Sequence, residues 1–313
     1  MTRIAKIAFG ALALLALSTA PAFAQTAEPT KAPAAPAKTP TPARTKEVAP
    51  VTIDGAETFV VRALEPDPLR IHVAKPKGWK AGDKRPAYIH FFGGGWSRGT
   101  PEKSFGWAKY AAREGMVGFA PDYRTNDRFG TSPLESVADG RLALKWVQDH
   151  AEEFGIDPTR VVVAGSSAGG HVALWTGITA APPGSDPAES PTIKPAALIL
   201  LSAVSDTTTE KGYTPRRFGK EAKALSPIDQ LDAKMPPMLI FHGDADATVP
   251  QAQSIALAEK LKTTGNVAEF VNVEGGSHSF STDKPEWREK SRKMIFDFLR
   301  GQKILEPPAA AAK

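Results

Sequence analysis

The segment Gly165-Ser166-Ser167-Ala168-Gly169 constrains this chain most, because it is a G-x-S-x-G sequence between a β-branched run and a helical pattern. The run over residues 160–164 predicts a buried strand, and the pattern over 170–179 predicts a helix. A tight turn between such elements strains the backbone of its central residue and requires small neighbours. We therefore predict a strand–turn–helix arrangement in which Ser167 is exposed at the tip of the turn.

The first residues of the chain have the pattern of a targeting segment. Residues 1–24 combine the basic Arg3 and Lys6, an apolar run over 7–17 and a small-residue site that ends at Ala24. This pattern predicts a secretory signal peptide that is cleaved after Ala24. A retained anchor is the alternative, although the apolar run is short for a membrane span. We expect a periplasmic or secreted protein with no stable membrane insertion after cleavage.

Two further segments differ in composition from the centre of the chain. Residues 25–50 and 306–313 are rich in Ala and Pro and contain few large apolar residues, so they cannot bury enough surface to offset the entropy of ordering. We expect a disordered linker and a disordered tail on either side of one catalytic domain over 51–305. The formal net charge of +5 is modest, which predicts no nucleic-acid binding. The chain has no cysteine, so disulfides and a thiolate nucleophile are excluded.

Strand and helix patterns alternate through the central part of the chain. The clearest helix start is Ser132-Pro133-Leu134-Glu135, in which Ser132 is the predicted N-cap and Glu135 completes a capping box. Repeated β–α alternation predicts a mostly parallel eight-stranded sheet with helices on both faces. The predicted strands cover residues 58–63, 69–75, 87–92, 116–120, 161–164, 196–202, 238–242 and 268–273.

A serine nucleophile needs a base and an acid that orients this base. On this architecture the three follow in the order Ser, Asp or Glu, His, and His278, in a glycine-bearing loop after the last predicted strand, fits that order. Asp246 is the predicted acid, and Asp206, after the preceding strand, is the alternative. Asp244 is predicted to stabilise the turn. The spacing of Asp244 and Asp246 lacks the downstream glycine and glutamate of a calcium loop, so we predict no metal site.

Acyl transfer also needs N–H donors that stabilise an oxyanion. We predict that Ala168, directly after the nucleophile, supplies one of them. Gly94 and Gly95 supply the others from residues 92–96, Phe-Gly-Gly-Gly-Trp, which we call the glycine loop. Trp96 is predicted either to line the substrate pocket or to pack the loop. No phosphate-binding glycine motif occurs, so no nucleotide or other cofactor is expected.

These motifs together resemble the α/β-hydrolase superfamily. The set comprises the G-x-S-x-G segment, the glycine loop, Pro121-Asp122-Tyr123-Arg124, residues 242–250 and Gly276-Ser277-His278. The resemblance covers about residues 55–303 and is to the esterase and lipase branch, which includes acetyl esterases, hormone-sensitive-lipase-like carboxylesterases and acetylxylan esterases. It implies a serine carboxylic-ester hydrolase of the α/β-hydrolase fold.

The chain departs from this family pattern at one position. The branch usually has a histidine before the three glycines, and this chain has Phe92 there. We expect the Phe92 ring to hold the loop by packing. His90 is not expected to replace the missing histidine, because strand alternation keeps it on the same face but two residues back.

Other polar and aromatic residues near these motifs are predicted to be structural. Asp122, Arg124 and Asp139 match polar positions of the family pattern, and we predict a buried network that supports the glycine loop. His171 and Trp175, on the helix after Ser167, are predicted to lie in the core.

The space for a cap over the site suggests the kind of substrate. Only residues 205–235 intervene between the strands where many lipases carry a large helical cap, so an open site and a small or absent cap are expected. An open site fits a short acyl group on a bulky alcohol, and we predict an exported serine esterase for acetyl-type esters, including acetylated carbohydrate. The alternatives are an exported prolyl-oligopeptidase-like peptidase and a catalytically inactive hydrolase-fold binding protein. The sequence indicates no oligomeric state.

Overall fold

Eight strands form a single sheet in the computed structural model, which describes residues 48–208, 212–213 and 215–306. The order across the sheet is β1-β2-β4-β3-β5-β6-β7-β8. Strand β2 pairs antiparallel with β1 and β4, and the other pairs are parallel. The strands are β1 (Glu57–Arg62), β2 (Leu69–Ala74), β3 (Arg85–Phe91), β4 (Val117–Pro121), β5 (Ile156–Ser166), β6 (Ala197–Leu201), β7 (Met238–Gly243) and β8 (Ala268–Val273). The prediction of a mostly parallel eight-stranded sheet is confirmed.

Helices fill the connections between the strands. Short 3-10 turns cover Pro187–Glu189, Gly219–Glu221 and Pro227–Asp229. The helices are α1 (Glu102–Arg113), α2 (Asn126–Phe129), α3 (Pro133–Asp149), α4 (Ala168–Thr176), α5 (Pro215–Phe218), α6 (Ala252–Thr263), α7 (Phe280–Asp283) and α8 (Pro285–Gly301).

The sheet buries both of its faces. On β5, Val161 and Val163 belong to one hydrophobic cluster, and Val162 and Ala164 belong to another. Because successive side chains of a strand point to opposite faces, the two clusters lie on the two sides of the sheet. Helices α3, α4 and α6 contribute buried residues to the first cluster, and α1 and α8 contribute to the second. Helices on both faces, as predicted, are confirmed.

The predicted start of α3 is confirmed. The Oγ of Ser132 accepts a hydrogen bond from the N–H of Leu134 at 3.2 Å, and the Glu135 carboxylate accepts one from the N–H of Ser132 at 2.9 Å. These bonds satisfy donors that a helix end leaves without intrahelical partners. The fixed start sets which α3 side chains face the site, including Asp139.

The parallel strands bring the predicted site loops to one edge of the sheet. Phe91 at the end of β3 pairs with Gly165 on β5, and Gly243 at the end of β7 pairs with Val273 at the end of β8. Ligands of open α/β sheets bind outside the carboxyl ends of the strands, where such loops converge. The glycine loop and the residues after β5, β7 and β8 all follow these ends.

Several predictions fall on residues outside the described part of the chain. These are the signal peptide over 1–24, most of the linker over 25–50, and the tail beyond residue 306. They stay predictions. Within the described ranges, no helix has both the length and the apolar character needed to cross a membrane.

Candidate active site

Ser167 occupies a strained turn between β5 and α4. Its φ of 55° and ψ of −120° lie in a region that side-chain-bearing residues rarely adopt. A Cβ on Gly165 would lie 2.1 Å from the carbonyl oxygen of Gly169, and one on Gly169 would lie 2.3 Å from the carbonyl oxygens of Phe91 and Phe92. Only glycine therefore fits at both flanking positions, which explains the G-x-S-x-G pattern.

Ser167, His278 and Asp246, which were predicted to act together, are connected by a chain of two hydrogen bonds. The Oγ of Ser167 lies 2.9 Å from Nε2 of His278, and Nδ1 of His278 lies 2.7 Å from Oδ2 of Asp246. An ionised carboxylate only accepts, so Nδ1 carries the proton of the neutral ring and Nε2 accepts from the Ser167 hydroxyl. This is the arrangement in which a histidine can serve as the base for a serine nucleophile.

The alternative acid, Asp206, has different partners. Its Oδ1 accepts hydrogen bonds from the N–H and the hydroxyl of Thr208, at 2.8 and 2.7 Å. No hydrogen bond joins Asp206 to His278 within the described ranges. The geometry therefore favours Asp246 as the partner of His278.

The surroundings of Asp246 keep its carboxylate ionised. The side chain is fully buried, and burial raises the pKa of Asp246. Hydrogen bonds from His242, His278 and the N–H groups of Val249 and Thr248 outweigh this effect and hold the pKa of Asp246 well below its usual range. A permanently ionised acid suits the orientation of His278.

Asp244 bonds to the end of β8 and to the loop that carries His278, rather than only within its own turn as predicted. Its Oδ1 accepts a hydrogen bond from the N–H of Gly275 at 2.7 Å, and Asn272 donates to its Oδ2 at 3.2 Å. The end of β7 also approaches this loop closely, since a Cβ on Gly243 would lie 2.0 Å from the carbonyl oxygen of Gly276. The two glycines thereby let the two loops meet.

The glycine loop lies against the nucleophile, and the hydrogen bonds of the loop fix the direction of the N–H of Gly95. A Cβ on Gly93 would lie 3.2 Å from Cβ of Ser167. The carbonyl of Gly94 accepts hydrogen bonds from the N–H groups of Ser97 and Arg98, each at 3.2 Å. Because C=O and N–H point in opposite directions in a trans peptide, the N–H of Gly95 points away from Ser97 and Arg98.

All three predicted oxyanion donors are available. No described residue accepts a hydrogen bond from the N–H of Gly94, Gly95 or Ala168. Ala168 is the first residue of α4, where N–H groups have no partner within the helix. The role of these three groups in catalysis remains a proposal.

Phe92 holds the glycine loop through Tyr123. The Phe92 side chain is 1% exposed, and its ring stacks on that of Tyr123 with centroids 4.1 Å apart and planes at 10°. The hydroxyl of Tyr123 also donates to the carbonyl oxygen of Phe92 at 2.8 Å. The position where the family pattern led us to expect a histidine is thus supported by an aromatic pair and one hydrogen bond to the backbone.

The three residues predicted to form one buried polar network lie in two separate ion pairs, one of which contains a residue that the sequence analysis missed. Arg124 binds Asp139 with both ends of its guanidinium, at 2.7 and 2.8 Å. Arg128 donates to Asp122 at 2.8 Å and to the carbonyl oxygen of Tyr123 at 3.0 Å. Burial raises the pKa of Asp122 to about 6 against the opposing effect of Arg128. Arg128 therefore joins Asp122 to the backbone of Tyr123, whose ring stacks on that of Phe92.

Trp96 is mostly a packing residue that also borders a cleft. Its side chain is 1% exposed, and its ring packs edge-on against those of His171 and Phe218, at centroid distances of 5.2 and 4.8 Å. It borders a cleft of about 510 Å³ whose other lining residues are Ser97, Asn126, Gly130, Thr131, Ser132, Pro133, Arg216 and Arg217. Trp96 therefore packs against α4 and α5 and also borders this cleft, and its contact with substrate stays a prediction.

The segment between β6 and β7 contacts the glycine loop. Arg217, on the short helix α5, donates to the carbonyl oxygen of Gly95 and to Oγ of Ser97. His171 and Trp175 are fully buried. Nε2 of His171 and Nε1 of Trp175 bond to the carbonyl oxygen of Leu225, at 2.8 and 3.1 Å. The prediction that these two residues lie in the core is confirmed.

Two buried histidines near the site have partners that the sequence analysis did not predict. His90 lies 3.2 Å through Nε2 from Oγ of Ser166, and its ring stacks on that of Trp107 at 5.2 Å. His242 lies 3.1 Å through Nε2 from Oδ2 of Asp246. No local pattern indicates this contact, because His242 lies on a strand and Asp246 in the loop that follows it. No group of three or more His, Cys, Asp or Glu residues in the described ranges is placed to hold a metal ion.

Comparisons with known proteins identify the family. The family model BD-FAE matches residues 72–261. Esterase LipQ of Mycobacterium tuberculosis is 25% identical over 244 residues, which are 70% of this chain and 56% of LipQ. The chain spans about half the length of the curated relatives it matches.

Solved structures of one esterase match this chain over almost their whole length. The propionate-bound structure of the thermophilic esterase Est2 from the planctomycete Thermogutta terrifontis has a TM-score of 0.75 and 36% identity, over 82% of this chain and 97% of that chain. Its butyrate-bound structure has a TM-score of 0.76 and 34% identity, with coverage of 82% and 97%. The chain belongs to the BD-FAE family, within the esterase and lipase branch of the α/β-hydrolase fold.

Proposed function

We propose that this protein is an exported serine esterase that removes acetyl or similarly short acyl groups, with acetylated carbohydrate as a fitting substrate. The observation that carries the proposal is the row of hydrogen bonds from Ser167 through His278 to Asp246, at 2.9 and 2.7 Å, on a strained turn beside the glycine loop. Membership of an esterase family supports the reaction class.

The geometry supports a two-step acyl transfer. Nε2 of His278 takes the hydroxyl proton as Oγ of Ser167 attacks the ester carbonyl carbon, and the carbonyl electrons move onto its oxygen. The N–H groups of Gly94, Gly95 and Ala168 stabilise this oxyanion. The C–O bond to the alcohol then breaks, and His278 returns the proton to the leaving alkoxide.

The acyl-enzyme is released by the same groups in a second step. His278 takes a proton from water as the water oxygen attacks the acyl carbon. The same N–H groups donate hydrogen bonds to the second oxyanion. The bond to Oγ breaks, the carboxylic acid leaves, and Ser167 recovers its proton from His278. Asp246 stays ionised throughout and keeps Nδ1 of His278 protonated.

Three features support a short acyl group and a polar alcohol. Propionate and butyrate, two short acids, are bound in structures of the related Est2. The longest helix described between β6 and β7 is α5, which has 4 residues, so this segment contributes no large cap. The cleft that Trp96 borders has hydroxyl, amide and guanidinium groups beside Gly130 and Pro133. Neither Ser167 nor His278 lines this cleft, and we propose it as a surface for the alcohol part of a bulky ester. Export is proposed from the predicted leader.

A substrate profile with an active-site label tests the proposal. We expect an organophosphonate label to add one covalent group to the protein and none to the Ser167→Ala variant. We expect kcat/KM for p-nitrophenyl esters to be highest at acetate to butyrate and to fall for octanoate, with acetate released from acetylated xylan. A maximum at octanoate would contradict the short-acyl proposal, and the absence of any label would favour the inactive binding protein.

Two further measurements address the peptidase alternative and the location. Cleavage of a prolyl p-nitroanilide with little ester hydrolysis would favour the peptidase. Expression of the full chain followed by fractionation and N-terminal sequencing is expected to yield a periplasmic or secreted protein that begins at Gln25. An intact N-terminus in the membrane fraction would support the retained anchor instead.

A further inference from the structure

The carboxylate of Asp246 contacts two histidines rather than one. Its Oδ2 lies 2.7 Å from Nδ1 of His278 and 3.1 Å from Nε2 of His242. The side chains of Asp246 and His242 are both fully buried. His242 is the fifth residue of β7 and has no place in the reaction sequence described above.

The partners of His242 determine where its proton lies. The carbonyl oxygen of Val249 at 3.0 Å and Oδ2 of Asp246 at 3.1 Å both face Nε2, and neither can donate. Nε2 of the neutral ring therefore carries the proton, which it donates to the carbonyl of Val249 while the same N–H lies in contact with Oδ2 of Asp246. Nδ1 accepts from the hydroxyl of Ser254, on α6, at 2.7 Å.

Each oxygen of Asp246 consequently has two donors. Oδ1 accepts from the N–H groups of Thr248 and Val249, at 2.8 and 2.9 Å, and Oδ2 accepts from the two histidines. The titratable side chains that face this carboxylate are His242 from β7 and His278 from the loop after β8. The other nearby acid, Asp244, faces Gly275 and Asn272 instead.

We propose that His242 is a positioning residue that acts through Asp246: its Nε2–H sets the orientation and the basicity of the carboxylate that His278 uses. This inference rests on the proposed esterase function. Because His242 and His278 share Oδ2, the hydrogen bond from His242 lowers the negative charge that this oxygen presents to His278. Without that bond, Asp246 stabilises the protonated form of His278 more strongly, and the base becomes inactive at a higher pH.

Two amide substitutions separate this role from a merely structural one. In His242→Gln the amide nitrogen reaches about the position of Nε2 and can still donate to Asp246. In His242→Asn the shorter side chain places its amide near the position of Nδ1, on the side of Ser254. His72→Asn is the matched control, because it replaces another fully buried histidine, bonded to Thr58 on β1 and remote from Asp246.

The main readout is the pH dependence of kcat/KM for p-nitrophenyl acetate. For His242→Asn we expect the midpoint of the acidic limb to move up by about half to one pH unit and kcat to fall about tenfold. We expect His242→Gln to retain the wild-type midpoint and most of kcat, and His72→Asn to leave the midpoint in place. An unshifted limb in His242→Asn, or equal shifts in the Asn and Gln variants, would overturn the proposal.

Nitrogen-15 NMR of the histidine rings gives a second test that requires no activity. We expect the neutral ring of His242 in the wild-type protein to show a protonated Nε2 and an unprotonated Nδ1, and the opposite tautomer would overturn the proposal even if His242→Asn does not fold. The same spectra give the pH at which His278 takes up its proton. If the wild-type protein hydrolyses no ester, the proposed function fails, and the tautomer still decides the contact of His242 with Asp246.

Discussion

Replacement of Phe92 by alanine tests how the glycine loop is held without the usual histidine. The ring is 1% exposed and stacks on Tyr123 at 4.1 Å. On another side it packs against Gly99, where an added Cβ would lie 2.6 Å from the ring. Gly99 has no side chain that could move into the space left by the ring, so the Phe92→Ala variant should retain a cavity.

The cost follows from burial and from the stacked pair. Buried Phe→Ala substitutions cost about 3 to 5 kcal/mol, and the value rises when the site cannot collapse. We expect the free energy of unfolding to fall by about 4 kcal/mol, since an aromatic contact worth about 0.5 to 1.5 kcal/mol is lost as well. Loss of one oxyanion donor lowers kcat by about 10² to 10³, so partial loosening of Gly94 and Gly95 should lower kcat by about tenfold.

Urea unfolding and kcat for p-nitrophenyl acetate measure both effects. Tyr123→Phe is the control, because it keeps the stacked ring and removes only the hydrogen bond to the Phe92 carbonyl, at an expected cost of about 1 kcal/mol. We expect Phe92→His to restore neither stability nor kcat, since the site is built around a stacked ring. A Phe92→Ala variant with wild-type stability and wild-type kcat would refute the reasoning.

Two further predictions concern the nucleophile and the acid of the site. Ser167→Ala should remove nearly all esterase activity and Ser166→Ala should keep most of it; equal losses would mean that the turn is misassigned by one residue. Asp246→Asn should lower kcat by about three to four orders of magnitude, because His278 then adopts the wrong tautomer. Asp206→Asn should lower kcat far less. The reverse result would make Asp206 the acid.

Burial lowers the pKa of His90 to about 3, so between this value and the usual 6.5 only the unfolded chain binds the proton. Wild-type stability therefore falls as the pH falls. Urea unfolding at pH 7 and pH 5 should show a fall in the free energy of unfolding that is smaller in His90→Gln by about 2 kcal/mol over this interval; equal falls would contradict this.

Local signals in the sequence were enough to predict the sheet, the start of α3 and the position of Ser167. A strand, a glycine-flanked serine and a helix follow one another within a few residues, and the capping box at Ser132 spans a single turn. Short-range patterns of this kind depend on backbone geometry and on alternation, which neighbouring residues specify. Chain order then limited the base to His278 and left Asp246 and Asp206 as candidate acids.

Only the tertiary structure decided between those acids and supplied the supporting contacts. Asp246 meets His278 because the loops after the neighbouring strands β7 and β8 converge, whereas Asp206 turns back onto Thr208. The stack of Phe92 on Tyr123 and the second histidine on Asp246 also depend on strand order and register. Periodicity tells which face a side chain occupies, but the partner it meets there depends on how distant parts of the chain pack together.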